Sequence, residues 1–408
     1  MMAGALSHIR VLDISRILAG PWAGQLLGDL GADVIKIERP GTGDDTRNWG
    51  PPYHRDESGT STAEAAYYLG LNRNKRSVTT DIAQPDGAAI VRKLAEQSDV
   101  LIENFKVDGL QQYGLDYASL RIRNPALIYC SITGFGQTGP YRQRSGYDFL
   151  IQGMGGLMSV TGRKDGEPGA GPQKVGVAVT DIMTGLYASS AILAALLHRN
   201  RTGEGQYIDL ALLDVQVATL ANQSMNYLTS GISPVRLGNA HPNIVPYQDF
   251  PTSDGAVIIA TGNDSQYVRL CEAMEHPEWA TDERFVSNER RVANRDVLIE
   301  MLSKRTVLRT TKEWIGTFQQ AGVPGGPINT IADVFADPQV VARDMTFNMP
   351  HDSGSGVRLV ANPIRMSATP PTYRLAPPLL GHDTRTVLSE RLGIDERTLD
   401  DLARRSII

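Results

Sequence analysis

The chain has 408 residues, a length that favours two domains over a single hydrophobic core. Apolar residues make up 41% and charged residues 21%, and the net charge is −5; this suits a soluble globular protein and excludes the basic footprint of a nucleic-acid or anionic-membrane binder. Arg supplies 32 of the 40 basic residues, so recognition of carboxylate or phosphate is expected to use the planar guanidinium fork.

Ile9 to Ile14 (IRVLDI) and Asp33 to Glu38 (DVIKIE) read as short buried strands, with a helix from Pro21 to Leu30 between them that ends at Gly31. Strand, helix, strand within about 30 residues is a βαβ unit and hence a parallel sheet. Further apolar runs at Ser77 to Asp81, Val100 to Glu103 and Ala126 to Ser131 extend that sheet, with helix from Asp86 to Gln97. Asp181 to Arg199 is a strong helix, followed by a TGEGQ turn and the apolar run Tyr207 to Leu213.

The expected architecture is α/β: a doubly wound parallel-sheet large domain plus a smaller α+β domain. The large domain spans 1–200 and is completed by 376–408. Residues 201–246 form a linker, 247–335 the small domain and 336–375 a second linker. The stretch Gly231 to Pro246 is rich in Gly, Pro, Asn and His, and Met345 to Pro378 is rich in Pro, Ser and Gly. The tail from Thr384 to Ile408 returns to helix.

Cys130 and Cys271 form no CxxC pair, so neither a disulfide framework nor a zinc site is expected. The N-terminus carries no readable signal peptide, and no run of 18 apolar residues suggests a membrane span. Cytoplasm is the expected location.

In an open α/β sheet, ligands bind beyond the carboxyl ends of the strands. Four segments there have suitable chemistry. Ser15 to Pro21 (SRILAGP) supplies small residues and a helix N-terminus, although Gly20 and Gly24 do not make the GxGxxG dinucleotide fingerprint. Arg39 follows the second strand; a solvated loop cation is as good a reading of it. Leu71 to Arg76 (LNRNKR) gathers three cations and two amides, which could hold phosphates or simply form a solvated turn. Asn104, Phe105 and Lys106 pair an aromatic ring with a cation, and Thr133, Gly134, Phe135 and Gly136 follow another strand. Asp181, in GVAVTDI, sits where an apolar segment becomes a helix. Backbone amides and the helix dipole should keep it ionised, and an ionised carboxylate can attack an acyl group. Asp is also among the best N-cap residues, and spacing alone favours that role.

The segments RILAGPWAGQLLGDLGADVIKIERPGTGDDTRNWGPP, LNRNKRS, YCSITGFGQTGP, GVAVTDIMTGLYA, NAHPNIVPYQDF and PPLLGHDT run in order from Arg16 to Thr384. Through them the chain resembles the class III CoA-transferases, the group of formyl-CoA and carnitine CoA-transferases, and most of all the succinyl-CoA:glutarate branch. The resemblance implies an interlocked homodimer, coenzyme A thioesters and carboxylic acids as substrates, and no metal. It implies a nucleophilic aspartate at Asp181, forming a mixed anhydride and then an aspartyl-CoA thioester. It implies CoA contacts at Leu18, Ala19, Arg39, Leu71, Asn72, Arg73, Asn74, Asn104, Phe105, Lys106 and Thr133 to Gly136.

Three departures bear on the substrate. Gln112 stands where formyl-CoA transferase has an Arg, so Lys75 or Arg76 is expected to share the phosphate grip. Ala260 to Asp264 lacks the glycine-rich loop of formyl-CoA transferase, which argues against a formyl or oxalyl substrate. Tyr147 replaces the histidine that the related α-methylacyl-CoA racemases pair with the aspartate; a phenol of ordinary pKa about 10 is a poor base, which disfavours racemisation. A racemase-like enzyme and a CoA-binding protein without catalysis stand as the alternatives. A dicarboxylate acceptor is expected, its distal carboxylate held by Arg16, Arg47 or Arg73. Arg144 is better suited to a structural or phosphate role.

Overall fold

A computed structural model of the chain describes residues 4–408, and the chain divides into two compact units. The first comprises Met1–Leu157, Val175–Met225 and Val341–Ile408; the second comprises Met158–Lys174 and Asn226–Val340.

The first unit is built on six parallel strands: β1 (Arg10–Asp13), β2 (Asp33–Glu38), β3 (Lys75–Thr79), β4 (Val100–Glu103), β5 (Ile128–Thr133) and β6 (Tyr207–Ala211). Their spatial order is 3-2-1-4-5-6, and Leu12 of β1 sits between Ile35 of β2 and Leu101 of β4. The strands read as continuous apolar runs because both faces are covered. Val11, Val34, Val100 and Ile102 face helices α1 (Ala19–Asp29) and α4 (Val179–Thr202). Leu12, Ile35 and Leu101 face α2 (Pro85–Glu96) and two C-terminal helices, α5 (Thr384–Leu392) and α6 (Glu396–Arg404). Between β5 and α4 lies the short helix α3 (Asp148–Met154).

Helix α4 is long and apolar enough to cross a membrane, but Thr184, Ala188, Ile192 and Ala195 on one of its faces are buried in this core. Helix α1 sits close over the end of β1 because Gly24 has no side chain: a Cβ there would come within 2.8 Å of the buried Asp13 carboxylate.

The strand and helix expectations for this unit hold to within a few residues. The stretch read as an excursion after Met345 contains an antiparallel ribbon, Thr346–Met349 against Val357–Val360. Asn74 fastens the following segment to the first unit: its carboxamide donates to Asp29 and to the Thr372 carbonyl, and accepts from the Arg374 amide.

The second unit is α+β. Three short antiparallel strands, with Ala256–Ala260 in the middle, pack under helices that contribute Tyr267, Leu270, Trp314 and Phe318 to a separate core. Ala260 to Gly262 lead from the central strand to Asn263, which caps the next helix through the Gln266 amide.

Candidate active site

The order 3-2-1-4-5-6 reverses direction between β1 and β4, and at such a switch point the two following loops splay apart and leave a crevice. Here those loops are joined side by side: the Arg16 amide donates to Asn104 Oδ1 at 2.9 Å, and Asn104 Nδ2 donates to the Arg16 carbonyl at 2.7 Å. Beyond them opens a cavity of about 640 Å³, lined from the carboxyl ends of all six strands.

The loop after β1 rests on buried charge. Lys36, wholly buried, donates to the Ser15 carbonyl at 2.9 Å and pairs with Asp44 at 2.8 Å. Asp44 accepts the Ile17 amide at 3.2 Å, and Ile17 has φ 75°, a left-handed backbone that costs a β-branched residue about 1–3 kcal/mol. Burial alone would raise the Asp44 carboxyl, but Lys36 outweighs it and brings it down to about 2. The pair is therefore ionised at neutral pH, and it holds Arg16, Ile17 and Leu18 on the cavity wall.

Asp181 lies in the first turn of α4 and lines the same cavity. Two sequence expectations about it need correction. The N-cap is not Asp181 but Ala178, which has no capping side chain. The cap comes from Asp148 of α3 instead: its Oδ1 accepts from the amides of Thr180 at 2.8 Å and Asp181 at 3.3 Å. Gln152 fixes that carboxylate by donating to Oδ2 at 2.6 Å. Nor is Asp181 a strongly acidic group. Burial, and then the Asp148 charge, push it up to about 7.

Of the residues singled out from sequence, Leu18, Ala19, Arg39, Asn104, Phe105, Lys106, Thr133 and Gly134 share the cavity wall with Asp181, as do Arg16, Gln112, Arg144 and Tyr147. Phe135 is nearly buried behind them, with Arg144 packed over its ring and that of Tyr141. Gly136 donates its amide to Thr133 Oγ1.

The LNRNKR segment lies off this wall. Leu71, Asn72, Arg73, Asn74 and Lys75 are buried. Arg73 forms a two-pronged pair with Asp29, at 2.9 and 2.6 Å. Lys75 donates to Asp13, Asn72 and the Pro21 carbonyl, and burial brings it down to about 8 against the pull of Asp13. Arg76 pairs with Asp33. Arg47 is likewise buried, gripping Glu38 with both prongs and reaching Glu64 and the Tyr68 hydroxyl. Arg73, Lys75 and Arg47 are committed to buried carboxylates, because an unpaired charge there would be costly, and Arg76 is held by the partly buried Asp33.

Sequence reading missed Arg142 and the Thr80 to Ala83 segment, both on the wall. Thr80 to Ala83 directly follow β3, which was the available signal; Arg142 lies nine residues past β5 in an irregular segment, and no strand end marks it. Arg39, Lys106 and Arg142 are exposed and form no ion pair among the described residues. Also among the described residues, no group of three His, Cys, Asp or Glu side chains could hold a metal ion.

A crevice lined by cations without ion pairs among the described residues, and by one carboxyl of raised pKa in the first turn of a helix, suits a long anionic ligand and acyl chemistry. The model of "CoA-transferase family III" matches residues 6–384. The chain belongs to that family. A succinate–glutarate CoA-transferase of Agrobacterium fabrum is 53% identical over 96% of this chain and 97% of its own length. The human succinyl-CoA:glutarate CoA-transferase is 42% identical over 99% of this chain and 90% of its own. Among solved structures, a CAIB/BAIF family protein from Brucella suis superposes with a TM-score of 0.83 at 50% identity, covering 96% of this chain and all of that one. This class III CoA-transferase is an enzyme that uses CoA thioesters as substrates.

Proposed function

We propose that the enzyme moves CoA from succinyl-CoA to a dicarboxylic acid such as glutarate, with Asp181 as the covalent nucleophile. The observation that carries this reading is the position of Asp181: it sits on the cavity wall, in the first turn of α4, with its capping duty taken over by Asp148. An aspartate spent on capping would have no free carboxylate to react. Its elevated pKa makes it a better nucleophile than an ordinary carboxylate, while about half of it stays ionised near pH 7.

The Asp181 carboxylate attacks the thioester carbonyl of the donor. The C–S bond breaks, giving a mixed anhydride and CoA thiolate. The thiolate then attacks the aspartyl carbonyl, releasing the donor acid and leaving an aspartyl-CoA thioester. The acceptor carboxylate displaces the thiolate from that thioester, forming a second anhydride. Attack of the thiolate on its acyl carbonyl gives the new acyl-CoA and restores Asp181. One thioester is exchanged for another, so no energy source is consumed.

Arg39, Lys106 and Arg142 are the candidate phosphate contacts, as exposed cations without an ion pair among the described residues. Arg16 is the candidate for the distal carboxylate of a dicarboxylic acid: of the three guanidinium groups first considered it alone is on the wall, half-exposed beside Asp45. The two relatives named above act on glutarate by name, which supports the same class of acceptor. A homodimer in the cytoplasm completes the reading. Its support is the exposed apolar side chains of the packed helices α3 and α4, including Phe149, Leu150, Leu186 and Leu197.

The test is to incubate the enzyme with succinyl-CoA, quench with hydroxylamine and map the adduct by mass spectrometry. A hydroxamate at Asp181 is expected. Full transferase activity in Asp181→Ala, with no adduct, overturns the reading.

A further inference from the structure

Glu103 ends β4 and is 5% exposed, yet it forms no ion pair among the described residues. It points to the opposite side of the sheet from α4, into a second cavity of about 190 Å³. Lys106, Val107 and Gly109 line both this cavity and the large one. The segment after β4 is thus a partition between them, with the substrate crevice on one side and Glu103 on the other.

The partition is pinned twice. Glu103 Oε2 accepts the Phe105 amide at 2.7 Å, and the next residue back, Asn104, is bonded to the Arg16 backbone in both directions. A loop has few ways to keep such a position, because its backbone lacks ladder partners. The carboxylate supplies one from behind.

We propose that Glu103 is a positioning residue for the CoA-binding wall: its carboxylate fixes the Asn104–Lys106 segment, and through it the Arg16 loop, in the conformation that receives the CoA moiety. The inference rests on the reading of the large cavity as the CoA site. It goes beyond that reading in giving the grip a proton dependence.

The groups facing Glu103 favour neutrality. Among the described residues lining this cavity Lys106 is the single cation, on an exposed stem, and Arg121 stands beyond, over the Tyr117 ring. Against it stand Asp108 of the partition, Asp116 and Tyr117 at the next helix, Tyr129 of β5 and Tyr207 of β6. Asp209 lies further along β6, and Cys130 points to the other face of β5. Ser131, itself receiving Gln137 at 2.9 Å, is the nearby hydroxyl. Burial, with only hydrogen bonds to oppose it, pushes Glu103 up to about 7. A bond to a charged acceptor is roughly twice as strong as one to a neutral acceptor. Protonation therefore loosens the partition, and CoA affinity should fall as pH drops through neutrality.

The experiment is equilibrium binding of free CoA, by calorimetry, to full-length wild type, Glu103→Gln and Glu103→Ala at pH 6 and pH 8. Glutamine keeps the shape and stays neutral. Wild type should bind roughly fivefold more tightly at pH 8 than at pH 6, beyond any change that Glu103→Gln shows. Glu103→Gln should bind at pH 8 about as weakly as wild type does at pH 6. Glu103→Ala should weaken binding at both pH values, with faster amide exchange at 104–106. The same pH dependence in Glu103→Gln as in wild type overturns the proposal, as does undiminished affinity in Glu103→Ala. Should Glu103→Ala not fold, the glutamine comparison decides alone. Failure of the wild type to bind CoA at either pH overturns the reading of the large cavity instead.

Discussion

The carboxylate of Asp148 accepts the amides of Thr180 and Asp181, at 2.8 and 3.3 Å, and so caps the helix that carries Asp181. One aspartate holds the helix terminus while the other is left free on the cavity wall, and the first raises the pKa of the second. Replacing Asp148 with Asn keeps an acceptor for the Thr180 amide but removes the charge. The rising limb of the kcat–pH profile, which needs ionised Asp181, should move to lower pH by about one unit, since burial still holds the carboxyl above its ordinary value. An unmoved profile would show that Asp148 acts only as a cap. Asp148→Ala should in addition lower stability by about 1–2 kcal/mol in denaturant melts.

Asp181→Asn should abolish transfer and stabilise the fold. The sign follows from the raised pKa. Below pH 4 the carboxyl is neutral in both folded and unfolded chains, and the variant gains nothing. Above that the unfolded chain ionises readily and the folded one resists until about pH 7. The stability advantage of Asn should therefore grow between pH 4 and 7 and reach about 1–3 kcal/mol at pH 8, read from urea midpoints. An equal or lower midpoint at pH 8 would mean that the fold solvates this carboxylate well.

Arg39→Ala, Lys106→Ala and Arg142→Ala should each raise KM for succinyl-CoA by roughly 10-fold with little change in kcat, because a phosphate contact binds ground and transition states alike. The residue that meets the 3′-phosphate is identified by dephospho-CoA, toward which its loss should matter little. A variant with unchanged KM for both thioesters removes that residue from the grip.

Arg16 and Arg47 should separate cleanly. Arg16→Ala should cut kcat/KM for glutarate by roughly 10- to 150-fold while sparing butyrate, and leave the melting curve almost unchanged, since its partner Asp45 is half-exposed. Arg47→Met breaks a buried grip on Glu38 and should cost about 3–5 kcal/mol of stability. Its folded fraction should keep the wild-type preference among acceptors. If wild type itself prefers butyrate, the dicarboxylate reading is wrong.

By itself the sequence determined the parallel sheet, because strands covered on both faces must be apolar throughout, as DVIKIE and VLIE nearly are. It also determined that ligand-bearing segments such as SRILAGP and ENFK follow strands, and hence lie at one edge. Tertiary structure alone decided which of the arginines are free. Arg39 and Arg47 are eight residues apart in similar polar surroundings, yet one is exposed and the other is folded onto Glu38, Glu64 and Tyr68. The difference lies in partners brought from elsewhere in the chain, and no local pattern encodes them. The same holds for Asp181. Its spacing suited an N-cap, and only tertiary packing decided otherwise: Asp148, 33 residues earlier, took over the cap and left the Asp181 carboxylate free, and burial, then the Asp148 charge, raised its pKa.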